Sequence, residues 1–432
     1  MEIKITGNGE GPSLLLIPGL GVSYEIFLPL IGLLKDRYHI IAVGIDGFLI
    51  GKESSFTSID DQAGQIIGYV RDKLNGHLDV AYGLSLGGKI LSRIMEMDRI
   101  VIDHAILDAA PLLPLPRWSV DPLRYYQSLN VWTCYHWTGF WRRVFHSHYF
   151  DVLLDECRKV WPSGKGKAVR DGYKDVYTHK LESIKGADIH YWYGTKESFV
   201  AKPQARHLCA IHPSTHVEVF PGMNHGQFLI DHPEEVAKRI AGFPVIRKAR
   251  PEDAPFLAKC IMAGMHFYDF GTEVPEKEDI FRSLVECERR DDLLYSYRHS
   301  RVAEADGKVV GALLSYPGDI YKRLREKTFA EIWPDFFPTH GDSEQETDPG
   351  EYYLDSLAVL PEYRGRGIGK ALLQDGIRKG IDLGFNQIAL VADSDMPHLI
   401  SLYKSLGFVP ADHRHAFGVD FQRMVFIPGL SK

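Results

Sequence analysis

The chain has 432 residues, 45% hydrophobic and 25% charged, with a formal net charge of −7. That length is too great for one ordinary core and suits two domains. The acidic balance argues against a large nucleic-acid surface.

The opening stretch, MEIKITGNGEGPSLLLIPG, has no charged segment ahead of a long apolar core, and no run approaches membrane-spanning length. No secretion signal and no membrane partner are therefore expected. The five cysteines, at 134, 157, 209, 260 and 287, form no CxxC pair. They read as reduced thiols in a cytoplasmic protein, with no metal site.

In chain order, residues 12–18 (PSLLLIP) read as a buried strand leading into Gly19-Leu20-Gly21. An amphipathic helix from about Tyr24 to Lys35 follows, then a second buried strand, Tyr38–Ile45. A helix over about Ile59–Leu74 precedes a strand at Leu78–Tyr82, a sharp turn Gly83-Leu84-Ser85-Leu86-Gly87-Gly88, and a helix Lys89–Glu96. Ala105–Leu107 is the next strand. Such alternation implies a mainly parallel sheet covered on both faces.

Gly83-x-Ser85-x-Gly87 fits the pattern of a serine thrown out on a strained strand-to-helix turn. Downstream, a strand Ala187–Tyr193 leads into Gly194-Thr195-Lys196-Glu197. Another, Val217–Phe220, leads into Pro221-Gly222-Met223-Asn224-His225-Gly226. The region over about residues 1–243 therefore resembles the α/β-hydrolase superfamily. The resemblance implies Ser85 as nucleophile, His225 as general base and Glu197 as the acid that orients it. It also implies an oxyanion hole from the backbone N–H groups of Leu20 and Leu86. A serine needs such a base to become nucleophilic, and fixed donors stabilise the developing negative charge. Two departures stand out: Pro18 occupies a position where many members carry histidine, and the acid is glutamate where aspartate is commoner. Asp108, ending the strand at Ala105–Leu107, is a rival for the acid.

Residues 113–185 break the alternation and hold five of the seven tryptophans. The resemblance implies a helical cap over Ser85. Its aromatic side chains read either as the lining of an acyl pocket or as the cap's own core.

A junction falls near Gly242-Phe243-Pro244 and opens a second domain over 244–432. Val245–Lys248 is a strand, and Arg250-Pro251-Glu252-Asp253 starts a helix. Val302–Glu304 and Val309–Leu314 are strands joined through Asp306-Gly307, a hairpin signal. A polar insertion, Tyr316–Gly350, has helical character at Ile320–Phe329 and an acidic end. Then comes LDSLAVLPEYRGRGIGKALL, a strand and a basic glycine turn opening a helix. A strand Gln387–Val391, a helix ending near Ser405 and a closing segment through Val425 follow.

A helix N-terminus with bare glycine backbone suits a diphosphate. The glycines alternate at 365, 367 and 369, which is neither the dinucleotide nor the P-loop pattern. Arg364-x-x-Gly367-x-Gly369 after a strand resembles the acyl-CoA loop of the GNAT acetyltransferases. IRKARPEDAPFL, the Asp306-Gly307 hairpin and LYKSLGF agree with it. The resemblance implies acetyl-CoA as co-substrate. Leu357, Ala358 and Val359 would pair with the pantetheine arm. Arg364, Gly365, Arg366, Gly367, Ile368, Gly369 and Lys370 would cradle the pyrophosphate, and Tyr403 would protonate the departing thiolate. Met396 stands where relatives often carry a CoA-contacting asparagine. The general base is not legible, although Asp355 and Glu351 lie near the right strand. His413 and His415 give no metal signature.

The expected whole is a capped α/β-hydrolase fold followed by a GNAT α+β fold. Its expected substrates are an ester, thioester or amide for the first domain, and a small-molecule or peptide amine for the second. Two competing readings are an acetyltransferase with a non-catalytic binding or regulatory first domain, and a CoA-binding sensor without transfer activity.

Overall fold

The structure, a computed structural model, describes residues 1–265, 278–332, 345–416 and 419–429. The chain divides into two compact units, Met1–Phe243 and Pro244–Lys432.

The first unit is built on seven strands: β1 (Glu2–Gly7), β2 (Ser13–Ile17), β3 (His39–Gly44), β4 (His77–Leu84), β5 (Val101–Asp108), β6 (Asp188–Gly194) and β7 (His216–Phe220). Their order across the sheet is β1-β3-β2-β4-β5-β6-β7. Every pairing is parallel except β1 on β3, where Glu2 faces Gly44 and Gly7 faces His39. β2, with the sequence SLLLI, is buried throughout, as a parallel strand covered on both faces must be. β1 is the exception to the sequence reading, which did not assign it as a strand. Its exposed positions fit an antiparallel edge strand.

Nine helices follow in chain order: α1 (Leu28–Leu34), α2 (Ile59–Leu74), α3 (Leu86–Met97), α4 (Arg117–His136), α5 (Thr138–Phe145), α6 (His148–Val176), α7 (Ser198–Ile211), α8 (Gln227–Asp231) and α9 (Pro233–Gly242). α2 starts where Ser58 accepts a hydrogen bond from the Asp61 N–H and ends on left-handed Asn75. α4–α6 form the insertion between β5 and β6, and α6 is broken at Lys165, whose backbone is not helical.

The aromatic side chains of this insertion divide among several surroundings. Trp118, Tyr125, Tyr126, Trp137 and Phe140 are more than half exposed. Tyr149 is buried, and Tyr135 stacks on Trp161 with ring centroids 5.8 Å apart. Those five exposed rings face outward, while Tyr125, Trp132 and Trp161 line a small pocket within the insertion.

The second unit has seven strands: β8 (Val245–Lys248), β9 (Ser300–Ala305), β10 (Lys308–Pro317), β11 (Tyr352–Val359), β12 (Ile388–Asp393), β13 (Val409–Ala416) and β14 (Val419–Phe426). They lie in the order β13-β14-β12-β11-β10-β9-β8. All pairings are antiparallel except β11 with β12. The β9–β10 hairpin turns through Asp306 and Gly307, both left-handed at φ 51° and 72°. That is the backbone the Asp-Gly pair favours.

The helices here are α10 (Ala254–Gly264), α11 (Glu278–Glu288), α12 (Gly318–Ile332), α13 (Ile368–Asp382) and α14 (Pro397–Ser405). Leu354, Leu372, Leu373 and Ile377 pack one core. Ile261, Leu284, Tyr316 and Tyr353 belong to another. The expected insertion Tyr316–Gly350 is helical over Gly318–Ile332, and its residues 333–344 lie outside the described residues.

Candidate active sites

Ser85 stands between β4 and α3 with φ 54° and ψ −110°, a backbone that L-residues with a side chain rarely adopt. The flanking glycines are dictated by space. A Cβ on Gly83 would lie 2.5 Å from the Gly87 carbonyl oxygen, and one on Gly87 would lie 2.1 Å from that of Ile17. The Ser85 N–H donates to the Asp108 carbonyl oxygen at 2.7 Å, which ties the turn to the end of β5. The loop after β2 runs close by: a Cβ on Gly19 would be 3.5 Å from that of Ser85. This puts the Leu20 segment beside the serine, while Leu86 opens α3 with the unpaired N–H groups of a helix start.

Glu197 and His225 follow the carboxyl ends of β6 and β7, at the sheet edge where Ser85 follows β4. The His225 Nδ1 and Glu197 Oε2 are 2.6 Å apart. The other oxygen of Glu197 accepts from the Gly194 N–H at 3.2 Å. The histidine loop packs on the turn before the serine, where a Cβ on Gly226 would come within 2.8 Å of Leu84 Cδ1. Loss of hydration opposes charge on His225, but the Glu197 hydrogen bond and the charges of Glu197 and Asp108 outweigh it. The imidazole pKa is raised.

Asp108, the rival acid, is buried, and its carboxylate accepts a hydrogen bond from the Tyr82 hydroxyl. Burial pushes it up to about 7, against the pull of that bond. The hydrogen bond of His225 thus goes to Glu197. From the insertion, the Tyr149 hydroxyl on α6 donates to the His225 carbonyl oxygen at 2.8 Å. Away from this edge, His77, Asp79 and Asp103 bring potential ligand atoms within 4.8 Å of one another. They already bond within the fold: Asp79 accepts from the Ser13 N–H and hydroxyl, and His77 bonds Asp103.

In the second unit, β11 and β12 are paired only at Tyr352–Ile388 and Tyr353–Ala389, then part. On its other side β11 stays paired with β10 through Val359. The gap opens onto a cavity of about 1020 Å³. Its walls include Leu357, Ala358 and Val359 from β11, Val391 and Asp393 from β12, and Tyr403 from α14.

The glycine turn closes one end of it. Gly365 and Gly367 are left-handed at φ 76° and 80°, and Gly367 caps α13. Arg364, Gly365, Gly367, Ile368, Gly369 and Lys370 line the cavity. Arg366 does not: its guanidinium lies 4.9 Å over the Tyr363 ring and donates to the Glu362 carbonyl oxygen. Arg364 Nε donates to the Val359 carbonyl oxygen at 3.0 Å, joining the strand end to the turn. Bare left-handed backbone, a helix N-terminus and two exposed cations fit a diphosphate, and the parted strand fits an extended amide-bearing arm. Met396 lines the same cavity. Burial raises the Tyr403 phenol to about 12.

The two acids proposed from sequence for the missing base are separated by the structure. Glu351 is buried in an ion pair with Arg423 and accepts from Thr347 and the Asp348 N–H. Asp355 lines the cavity, where Tyr316 donates to one of its oxygens at 2.5 Å and Ser356 to the other at 2.8 Å. Glu346, not identified from sequence, lines it too and accepts from Tyr321 at 3.1 Å. Burial raises both carboxyls, and the charge of Asp355 adds to the rise of Glu346. His415, by contrast, bonds Asp420 at 2.7 Å.

Two family models match the chain. Residues 14–239 match the alpha/beta hydrolase family, and residues 266–408 match the acetyltransferase (GNAT) family. The chain belongs to the alpha/beta hydrolase family and carries a GNAT acetyltransferase domain behind that first domain. Among curated proteins, a mycothiol acetyltransferase of Pseudarthrobacter chlorophenolicus is 37% identical over 86 residues, 20% of this chain and 25% of that one. A thialysine N-epsilon-acetyltransferase of Bos taurus is 31% identical over 80 residues, 18% of this chain and 47% of that one. The chain thus spans between a quarter and a half of the length of these relatives. Among solved structures, an alpha/beta hydrolase family protein from Desulfitobacterium hafniense aligns with a TM-score of 0.47 at 17% identity, covering 55% of this chain and 98% of that one. No helix among the described residues is long and apolar enough to cross a membrane.

Proposed function

We propose that the chain joins two acyl-group enzymes: a serine hydrolase in the first unit and an acetyl-CoA-dependent N-acetyltransferase in the second. In the first, Ser85 attacks the carbonyl carbon of an ester, thioester or amide while His225 takes the hydroxyl proton. Glu197 fixes the imidazole tautomer and stabilises its charge. The N–H groups of Leu20 and Leu86 receive the oxyanion. The observation that carries this reading is the left-handed Ser85 after β4, together with a histidine that a carboxylate holds at 2.6 Å on a loop packed against Leu84.

In the second unit, Leu357–Val359 hold the pantetheine arm along the open side of β11. The turn from Arg364 to Lys370, with Arg366 at its outer rim, holds the pyrophosphate. A phenol raised to about 12 stays protonated, so Tyr403 donates a hydrogen bond to the sulfur as the carbon–sulfur bond breaks. The parting of β11 from β12 beside the glycine turn supports this reading. The name of the thialysine N-epsilon-acetyltransferase relative agrees with an amine acceptor.

Two measurements test the pair of activities. A fluorophosphonate probe should label the wild type at Ser85 and leave Ser85→Ala unlabelled. Acetyl-CoA should bind the wild type and bind an Arg364→Ala/Lys370→Ala double variant at least about 10-fold more weakly, since two cations that face the diphosphate are lost. Failure of the first result leaves a non-catalytic first domain. Failure of the second removes the acetyl-CoA site.

A further inference from the structure

The end of the second-unit cavity away from the glycine turn has its own chemistry. Tyr295, Phe329 and Tyr353 give it aromatic walls. Glu346 and Asp355 supply two carboxyl groups that reach it from different parts of the chain. Tyrosine hydroxyls hold both: Tyr321 and, at 3.5 Å, Tyr353 donate to Glu346, and Tyr316 donates to Asp355.

Behind them lies Glu288, the last residue of α11. It is 0% exposed, and neither of its oxygens has a hydrogen-bond partner among the described residues. Burial, with repulsion from nearby Asp355, pushes the Glu288 carboxyl well above the usual carboxylate range. Three carboxyl groups from separate elements therefore converge where the cavity wall is otherwise aromatic and aliphatic. A hydrophobic fold does not need that arrangement, and desolvating the acids is costly without a counterpart.

The charges nearby narrow the counterpart. The charge of Asp355 raises the Glu346 carboxyl, so the pair favours a counterpart that brings positive charge. On the far side, Arg325 sits over the Tyr321 and Phe329 rings at 5.8 and 5.4 Å. A single ammonium meets an attractive site there; a second ammonium on the same molecule would approach that guanidinium. The aromatic walls favour an apolar or aromatic body, and ring faces attract a cation.

We infer that the acceptor of the second unit is a monocationic primary amine with an apolar or aromatic body, seated between Tyr295, Phe329 and Tyr353. Glu346 and Asp355 together take its proton. The inference rests on the acetyl-CoA reading of this cavity. In the reaction, the ammonium gives one proton to the carboxylate pair. The freed nitrogen forms a bond to the acetyl carbonyl carbon, and the carbon–sulfur bond breaks. The nitrogen's second proton leaves with the sulfur through Tyr403, which gives its own proton to the sulfur and regains the one from nitrogen. The products are an N-acetyl amine, a free thiol and one proton left on the pair.

The test measures thiol release from acetyl-CoA by the full chain with 2-phenylethylamine, putrescine, free lysine and 2-phenylethanol, alongside calorimetric binding of acetyl-CoA. Glu346→Gln and Asp355→Asn are compared with wild type. The expected result is kcat/KM for 2-phenylethylamine at least about 10-fold above that for putrescine or lysine, and no release with the alcohol. Either variant should lower kcat about 10²-fold or more while acetyl-CoA binds within about 2-fold of wild type. Intact acetyl-CoA binding also shows that the variants are folded. If acetyl-CoA binds but putrescine or lysine is the better acceptor, or if both variants keep full kcat, this inference is overturned and the acetyl-CoA site stands. If acetyl-CoA does not bind the wild type, both fall together.

Discussion

The Ser85 elbow and the Arg364–Lys370 turn share a plan: a buried strand, a glycine-rich corner, then a helix. Their glycines do opposite work. At the elbow, Gly83 and Gly87 exist because backbone occupies the place of a side chain, and the one left-handed residue is the serine itself. At the second turn, a Cβ on Gly365 or Gly367 would meet nothing within 4 Å, and glycine is wanted for its left-handed backbone. The first corner is crowded around one protruding side chain. The second leaves its backbone bare. Nucleophilic attack needs the former, and cradling an anion through N–H groups needs the latter.

The largest contrast is expected from Ser85→Ala, which should lower hydrolysis by about 10⁴-fold or more while acetyl-CoA-dependent thiol release is unchanged. A parallel loss of both activities would break the division of labour. Next, Glu197→Gln should cost about 10² to 10⁴-fold in hydrolysis, and Asp108→Asn far less, because only Glu197 holds His225. The pH profile sharpens this. His225 acts as a base when neutral, and its pKa is raised above 6.5, so kcat/KM should climb with pH through a midpoint above that value. Glu197→Gln should move the midpoint downward, and an unmoved midpoint would assign the acid elsewhere.

The smallest effect separates the two kinds of glycine. Gly87→Ala forces a Cβ to 2.1 Å from the Ile17 carbonyl oxygen and should destabilise the first unit by ~3 kcal/mol or more. Gly367→Ala has open space and should cost only about 1–2 kcal/mol of left-handed strain in the second. Thermal unfolding checks both. Tryptophan fluorescence follows the first unit, which holds six of the seven tryptophans.

What could be read from sequence follows the same contrast. Buried strands and glycine corners are local, and β2, β8 and α2 lie within a residue of where apolar runs and caps placed them. β1 escaped because its short alternating pattern resembles any polar amino-terminal stretch. The choice between Glu197 and Asp108 depended on Tyr82, whose hydroxyl occupies the Asp108 carboxylate. No spacing rule announces that contact. The carboxyl groups at the aromatic end of the second-unit cavity were only partly legible. Asp355 was named from sequence alongside Glu351, which is consumed by Arg423, but Glu288 and Glu346 come from distant parts of the chain. The cap aromatics could not be apportioned for a related reason: composition counts rings but does not say which way they face.

The parting of β11 from β12 bears on how the second unit holds together. With two ladder positions joining β12, β14 and β13 to β11, β10, β9 and β8, the sheet is close to two sheets sharing a seam. Cooperative opening should run along that seam. Amide hydrogen exchange would then divide the strands into two groups of unequal protection. An extended molecule lying between β11 and β12 would fuse them into a single cooperative block.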